Sequence, residues 1–403
     1  MKYIIVLGDG MADEPIQSLG NMTPLEYAHT PGMDYIASNG VVGRLITVPD
    51  GYSPGSEIAN LGILGYDVRK VYEGRGSLEA ASIGVEIADN EVAMRMNLIC
   101  VENGKIKNHS AGHISTEEAA ELIDALRKNL GDDLTKFDVG VSYRHLLRLR
   151  DADKRVKCTP PHDVPGAEFM SVMPVAETPE AEPTAARLRE LILKSYDVLQ
   201  NHPVNVARRK AGKDSANMLW PWSLGRRPSM LPLSELYGIG KGTVISAVDL
   251  IKGIGIYAGL KSVDVEGATG LYDTNYENKL KAAIDALESG DDFVFLHVEA
   301  SDEAGHEGDV ALKVKTIENL DSRIIEPLTR YIKESNEEIA IAVLPDHPTP
   351  CRIKTHTSHP VPFAVMKPGV KPDSAKRLTE NAGAESSLSL SEPMDFITYF
   401  LQK

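Results

Sequence analysis

Cysteine is scarce in this chain of 403 residues: Cys100, Cys158 and Cys351 are widely spaced, odd in number and form no CxxC pair. That excludes a disulfide framework and a zinc-thiolate site, and makes reduced thiols the expectation. Aromatic residues are few, at 6%. Positive charge is in deficit, with 43 Lys and Arg against 58 Asp and Glu, a formal charge of −15. A surface of that sign does not attract nucleic acid or an anionic membrane, so neither partner is expected, and an anionic substrate must meet a local basic patch. Long apolar runs are also missing: none approaches the roughly 18 to 20 residues that span a bilayer, and the opening MKYIIVLGDG turns polar too soon for a signal peptide. A cytoplasmic location is expected.

What is present is ordinary for a globular protein, 42% hydrophobic and 25% charged, in a chain long enough for two domains. Short apolar runs alternate with helical patterns near both ends: YIIVLG (Tyr3 to Gly8), TVISAV (Thr243 to Val248), SVDVEG (Ser262 to Gly267), FVFLHVE (Phe293 to Glu299), IAIAVL (Ile339 to Leu344) and PFAVM (Pro362 to Met366). Such runs suit strands buried on both faces of a largely parallel sheet. Amphipathic patterns over Tyr276 to Ser289 and Val310 to Ile332 predict helices between them, hence an α/β core.

The middle of the chain has another character. LICVENGKI, Leu98 to Ile106, predicts a hairpin turning at Asn103-Gly104, and Ser115 with Glu118 forms a capping box for a helix reaching about Leu130. PVAETPEAEPTAA, Pro174 to Ala186, reads as an exposed connection before a helix over Arg187 to Leu199. A smaller α/β domain over 81–234 is therefore expected as an insertion into a core made of 1–80 and 235–403.

The stretch FVFLHVEASDEAGHEGD, Phe293 to Asp309, starts as an apolar strand and then gathers Glu299, Asp302, Glu303, His306 and Glu307. Acids so crowded repel one another, or take up protons, unless a positive centre lies among them. In an open parallel sheet ligands gather beyond the carboxyl ends of the strands, so the residues after each apolar run carry the information. That rule collects Asp9, Asp302, His306, Asp346 and His347, with His356 and His359 in THTSHP just before PFAVM. Three carboxylates with three or four histidines exceed the needs of one four-coordinate ion, so two divalent ions are expected. Singly, each residue has a plainer reading: a strand-end Asp is ordinarily a turn former, and DxxxH pairs occur on solvated helix faces. The set is what points to metal. Ser56, in GYSPGSEIANLGILGYD, reads by itself as an N-cap serine, but beside a metal the same hydroxyl becomes a nucleophile. ELYGIGKGT, Glu235 to Thr243, is not a phosphate loop, because the first glycine is missing and Gly242 follows Lys241.

Together, GDGMAD, GSEIANLGILGYD, GATGLYDTNYENK, DEAGHEGD, LPDH and HTSHPVPF resemble the archaeal-type cofactor-independent phosphoglycerate mutases of the alkaline phosphatase superfamily, from Asp9 to Phe363. The resemblance implies an alkaline-phosphatase-like, mostly parallel sheet flanked by helices, with an inserted smaller domain that binds substrate. It implies two divalent ions, manganese first and zinc, cobalt or magnesium as alternatives, and no need for 2,3-bisphosphoglycerate. One ion would take Asp302, His306 and His356; the other would take Asp9, Ser56, Asp346 and His347, with Ser56 phosphorylated during turnover. The family's ligand is the histidine of HT, His356, which leaves His359 ranked lower. His113, Arg144, Asn217 and Arg226 match positions at or near the substrate in relatives, and Lys252 resembles a phosphate-contacting lysine. The implied activity interconverts 3-phosphoglycerate and 2-phosphoglycerate, a small phosphorylated substrate; a homoserine kinase branch of the same fold is the alternative. Arg148, Arg150, Arg208, Arg209 and Arg227 are expected on solvated faces.

Overall fold

The apolar runs at the two ends of the chain come together in one eight-stranded sheet. The structure, a computed structural model, describes residues 1–402. Across the sheet the strands run Lys261–Ser262, Gly242–Ile245, Phe293–Val298, Lys2–Gly8, Ile339–Leu344, Val361–Met366, Val41–Leu45 and Ser389–Leu390. Val361–Met366 is antiparallel to both of its neighbours, and the other pairings are parallel. Lys2–Gly8 lies between Phe293–Val298 and Ile339–Leu344, and all three are buried on both faces, which is why each reads as a continuous apolar run. Ile4, Val6, Val294, Leu296, Ile341 and Val343 share a core with Ile317, Ile324 and Leu328 from the flanking helices.

Two expectations need correction here. The predicted strand Ser262 to Gly267 shrinks to Lys261–Ser262, although Val263 and Val265 alternate with Asp264 and Glu266. Its one neighbour pairs Thr243 with Lys261 and Val244 with Ser262 and ends at Ile245, so the rest of the run has no ladder to join. The helix predicted over Val310 to Ile332 is interrupted: α-helix over Val310–Leu320 and Glu326–Glu334 flanks one π turn at Asp321–Ile325. Pro327 has no N–H for the carbonyl of Arg323, and the wider turn absorbs the mismatch. At that turn the buried Asp321 accepts bonds from Gly32 and Met33 N–H, at 2.9 and 2.7 Å, at the start of the helix Pro31–Ser38.

The chain divides into two compact units, one of Met1–Tyr72 with Ser229–Lys403 and one of Glu73–Pro228. The divisions fall at 72/73 and 228/229, not at the expected 80/81 and 234/235. The helix Arg75–Ser82 accounts for the first shift, because it packs on the strands Glu91–Glu102 and Met218–Gly225 of the second unit. A Cβ at Gly76 would come within 2.3 Å of the Ser223 carbonyl, so only glycine allows that approach.

In the second unit, Glu91–Glu102 pairs antiparallel with Lys105–Asn108, Arg144–Arg150 and Met218–Gly225, and Thr135–Val141 extends the sheet. The hairpin turns at Asn103 and Gly104, with φ of 52° and 77°, the two left-handed positions of a tight turn. The Ser115–Glu118 capping box opens the helix Thr116–Leu130. A second helix starts at Glu182, earlier than the predicted Arg187, because Pro183 suits a first helical turn. Arg208 is a further correction. It is 3% exposed and bonds to Glu118, the Ala111 carbonyl and the Asp214 carbonyl, so it belongs to the interior.

Replacing Asp321 by Ala strands two buried N–H donors at a helix start. We expect a loss of about 1–3 kcal/mol in unfolding free energy, read from urea denaturation followed by circular dichroism.

Candidate active site

The predicted ligands converge because the strands that precede them are adjacent. Asp9 follows Lys2–Gly8, Asp302 lies in the first turn of the helix Ala300–Glu307 after Phe293–Val298, and Asp346-His347 follow Ile339–Leu344. Gly10 permits the close approach: its φ is +58°, and a Cβ there would stand 2.4 Å from Asp302 Oδ1. Its N–H instead donates to Asp346 Oδ1 at 3.1 Å.

One half of the site holds Asp302, His306 and His356. Asp302 Oδ2 lies 3.1 Å from His306 Nε2, Asp302 Oδ1 lies 3.3 Å from His356 Nε2, and the two Nε2 atoms are 3.0 Å apart. His306 Nδ1 faces the Lys354 carbonyl at 3.0 Å and His356 Nδ1 faces the Pro54 carbonyl at 3.4 Å. Carbonyls only accept, so each Nδ1 is the donor and each Nε2 turns toward Asp302. The hydrogen bond to Asp302 raises His306 to about 9. Burial works against ionised Asp302 and protonated His356, yet their mutual bonding, with His306, holds Asp302 well below the ordinary carboxylate range and raises His356. Protons thus supply the positive charge that this donor set calls for.

The other half holds Asp9, Ser56, Asp346 and His347. Ser56 Oγ lies 3.2 Å from His347 Nε2 and 3.4 Å from Asp9 Oδ2, and His347 Nε2 lies 3.6 Å from Asp9 Oδ1 and 3.4 Å from Asp346 Oδ2. Ser56 is not the cap of its helix, as the sequence suggested. Gly55 takes that place in extended backbone, and Ser56 is the first residue of Ser56–Ile63, its hydroxyl free for the site. Asp9 Oδ1 is buried with no hydrogen-bond partner, and burial together with Asp346 raises the Asp9 carboxyl well above its usual range. An orphaned oxygen among crowded acids and imidazoles fits a divalent cation. The rings of His347 and His356 stack at 3.9 Å between centroids, joining the halves.

Asn60, His297 and Lys279 carried no usable sequence signal. Asn60 Nδ2 donates to Asp346 Oδ2 at 3.0 Å and to the Ser56 carbonyl at 2.8 Å. His297, fully buried, contacts Asp9 Oδ2 through Nε2 at 2.8 Å and Ser246 Oγ through Nδ1 at 3.1 Å; burial lowers it to about 3, so it is neutral. Burial and Asp302 push Glu299 up to about 8, and burial brings the enclosed Lys279 down to about 8. Lys252 is paired with Asp264 at 3.1 Å, on a helix that packs against the Ser56 helix. His359 is exposed beside Glu14, in a separate pocket.

In the second unit, His113 and Arg144 come together around Tyr143. The Arg144 guanidinium lies 4.9 Å over the Tyr143 ring, whose centroid is 6.2 Å from that of His113 and 5.8 Å from that of His109. His162 continues the cluster to Trp222, and Arg95 lies 4.3 Å over Trp222. Ala111, Gly112 and His113 are successive left-handed residues, as is Ser142 next to Tyr143. Strained backbone of this kind persists only where its surroundings impose it. Asn217 and Arg226 do not join the cluster. Asn217 is buried and spends its amide on Val101 N–H, the Val101 carbonyl and Gln200. Arg226 bonds the Ala152 carbonyl, beyond the far end of the strand Arg144–Arg150, on the order of 20 Å along from Arg144.

The model of a family described as 2,3-bisphosphoglycerate-independent phosphoglycerate mutase matches residues 37–205. A protein of that name from Methanosarcina barkeri is 49% identical over 399 residues, covering 98% of this chain and 98% of the relative. The chain belongs to the 2,3-bisphosphoglycerate-independent phosphoglycerate mutase family. A Thermococcus kodakarensis protein of the same name is 38% identical over 385 residues, covering 94% of this chain and 91% of its own. Among solved structures, a Pyrococcus horikoshii protein is similar with a TM-score of 0.82 at 30% identity, covering 99% and 96% of the two chains. The cofactor-independent phosphoglycerate mutase of Thermoplasma acidophilum matches with a TM-score of 0.68 at 26% identity, covering 100% and 99%. Members of the family thus share this α/β architecture over essentially the whole chain.

The proton inventory gives a signed pH dependence. His306 in the metal-free fold is raised from 6.5 to about 9, so its pairing contributes stability that is complete below about 6.5 and is lost as pH rises through 9. We expect the melting temperature of chelated protein to fall across that window, with a shallower fall in His306→Gln. A divalent ion taken up by these groups would have to displace the same protons, so apparent divalent-ion affinity should rise over that interval. Calorimetry in two buffers of different ionisation enthalpy reads the protons released.

Proposed function

We propose that the chain interconverts 3-phosphoglycerate and 2-phosphoglycerate through a phosphoserine at Ser56, on two divalent ions and without 2,3-bisphosphoglycerate. The observation that carries this reading is the Ser56 hydroxyl, released from helix capping and poised between Asp9 and His347 within a family-wide fold. Asp302, His306 and His356 would hold one ion, and Asp9, Asp346 and His347, with Ser56, the other. Carboxylate and imidazole donors without thiolate fit manganese, which we take as the resident ion, with zinc, cobalt and magnesium as the alternatives that metal analysis separates. Bound ions supply Lewis acidity and lower the pKa of a ligated hydroxyl.

The chain's own residues then do the following. Ser56 has two acceptors for its proton, His347 Nε2 at 3.2 Å and Asp9 Oδ2 at 3.4 Å, and its release leaves the oxygen lone pairs for phosphorus. A bond forms from Ser56 Oγ to phosphorus, the bond from phosphorus to the glycerate oxygen breaks, and that oxygen takes a proton. Return of the phosphoryl group to the other glycerate hydroxyl restores Ser56. Asn60, which donates to both the Ser56 carbonyl and Asp346, fixes the nucleophile's turn against the ligand. The N-terminus of Ser56–Ile63 and the Lys252 ammonium offset phosphoryl charge, and His113 and Arg144 are proposed to hold the substrate's anionic groups. Asn217 is better placed to brace its strand than to touch substrate. We place the enzyme in the cytoplasm, where its three free cysteines stay reduced.

The homoserine kinase reading is not favoured, because the full-length relatives carry the mutase name. Phosphorus NMR of pure protein with manganese and 3-phosphoglycerate should show 2-phosphoglycerate forming, whereas ATP with homoserine should stay unchanged. Ser56→Ala should lose at least about a thousandfold in turnover. Asp302→Ala and Asp346→Ala should be inactive and hold less metal by elemental analysis. Full turnover in Ser56→Ala would remove the covalent route.

A further inference from the structure

Two fully buried polar groups beside the site, the Thr349 hydroxyl and the Lys313 ammonium, have no part in the ligand assignment. Thr349 Oγ1 donates to Asp302 Oδ1, and it lies 3.3 Å from His347 Nδ1. A hydroxyl has one proton, and an ionised carboxylate can only accept. With that proton committed to Asp302, only lone pairs of Thr349 face His347, so Nδ1 must be the nitrogen that carries hydrogen. Nε2 is then left with its lone pair toward Ser56 Oγ, Asp9 and Asp346.

We propose that Thr349 is a positioning residue joining the two halves of the site: one hydroxyl orients Asp302 in the first and fixes the tautomer of His347 in the second. This rests on the two-ion reading above.

The surroundings keep the hydroxyl from turning elsewhere. Lys313 Nζ donates to the Thr349 carbonyl at 2.8 Å, the Ala12 carbonyl at 3.1 Å and Asp13 Oδ2 at 2.8 Å, three acceptors for three protons. Thr349 N–H itself donates to the Ala12 carbonyl at 3.2 Å, so its backbone is tied to the loop that follows Asp9. Two glycines leave the space it needs. A Cβ at Gly10 would lie 2.6 Å from Thr349 Oγ1, and one at Gly305 would lie 2.4 Å from the Thr349 carbonyl. Groups behind metal ligands set ligand orientation and tautomer, and their removal lowers metal affinity by about 10–100-fold.

The test uses ¹⁵N-histidine-labelled, metal-free protein, with the His347 signals assigned by their loss in His347→Gln. Unaltered protein and Thr349→Ser should show the Nδ1–H tautomer of His347. Thr349→Val, nearly the same shape without the hydroxyl, should move it toward Nε2–H, where carboxylates accept. Mn²⁺ affinity, from the paramagnetic resonance signal of free manganese, should fall about 10–100-fold in Thr349→Val and stay within a few-fold in Thr349→Ser. An Nε2–H tautomer in the unaltered protein overturns the proposal. So does a Thr349→Val protein that keeps both the tautomer and the affinity. If Thr349→Val does not fold, the tautomer of the unaltered protein and the affinity of Thr349→Ser still decide. Neither readout uses phosphoglycerate, so failure of the mutase reading is distinguishable; absence of manganese binding by the unaltered protein would sink the two-ion reading instead.

Discussion

Mutual repulsion among buried acids governs this protein. Asp9, Asp302, Asp346 and Glu299 meet at the ends of adjacent strands, three of them almost wholly shut off from solvent. Several negative charges in so little water cannot all stand unless cations or protons accompany them. In the metal-free fold the crowding favours proton uptake, raising His306 and His356 in one half and Asp9 in the other. The parallel sheet makes this possible, because its strands deliver their following residues to one edge while apolar side chains on both faces hold the strands in register.

How much could be read in the sequence follows from the same physics. A strand buried on both faces has to be apolar throughout, so Ile339–Leu344 announces itself, and Asp346-His347 are conspicuous as the first polar residues after it. Asp9 and Asp302 are legible for the same reason. The signal fails at the sheet edge, where Val263 and Val265 have the alternation of a strand and no neighbour to pair with. It fails again wherever a polar residue is buried by tertiary contact alone. Nothing in the local sequence distinguishes Lys313 or Lys279 from a solvated lysine, or Asn60 from any helical asparagine. Arg208 is illegible on the same ground, since its burial depends on Glu118 and the Ala111 carbonyl, distant in sequence, as well as on the Asp214 carbonyl.

The second unit is a separate lesson in cationic design. Its strands raise Arg95 and Arg144 over Trp222 and Tyr143; Arg95 is also paired with Glu79 at 2.9 Å, whereas Arg144 rests over its ring with no carboxylate partner among the described residues. In a chain of strongly negative net charge, a cation retained as Arg144 is can meet an anionic ligand. Only Arg144 and His113 were identifiable from motif position; Arg95 joins through its pairing with Trp222, and His109 and His162 through ring contacts with Tyr143 and Trp222.

The loop between Ile339–Leu344 and the antiparallel Val361–Met366 carries a further implication. His347 belongs to one half of the proposed centre and His356 to the other, yet both ride on this single excursion of chain. Placement of the loop is a condition common to the two proposed sites, so a change that displaces it would disturb both together.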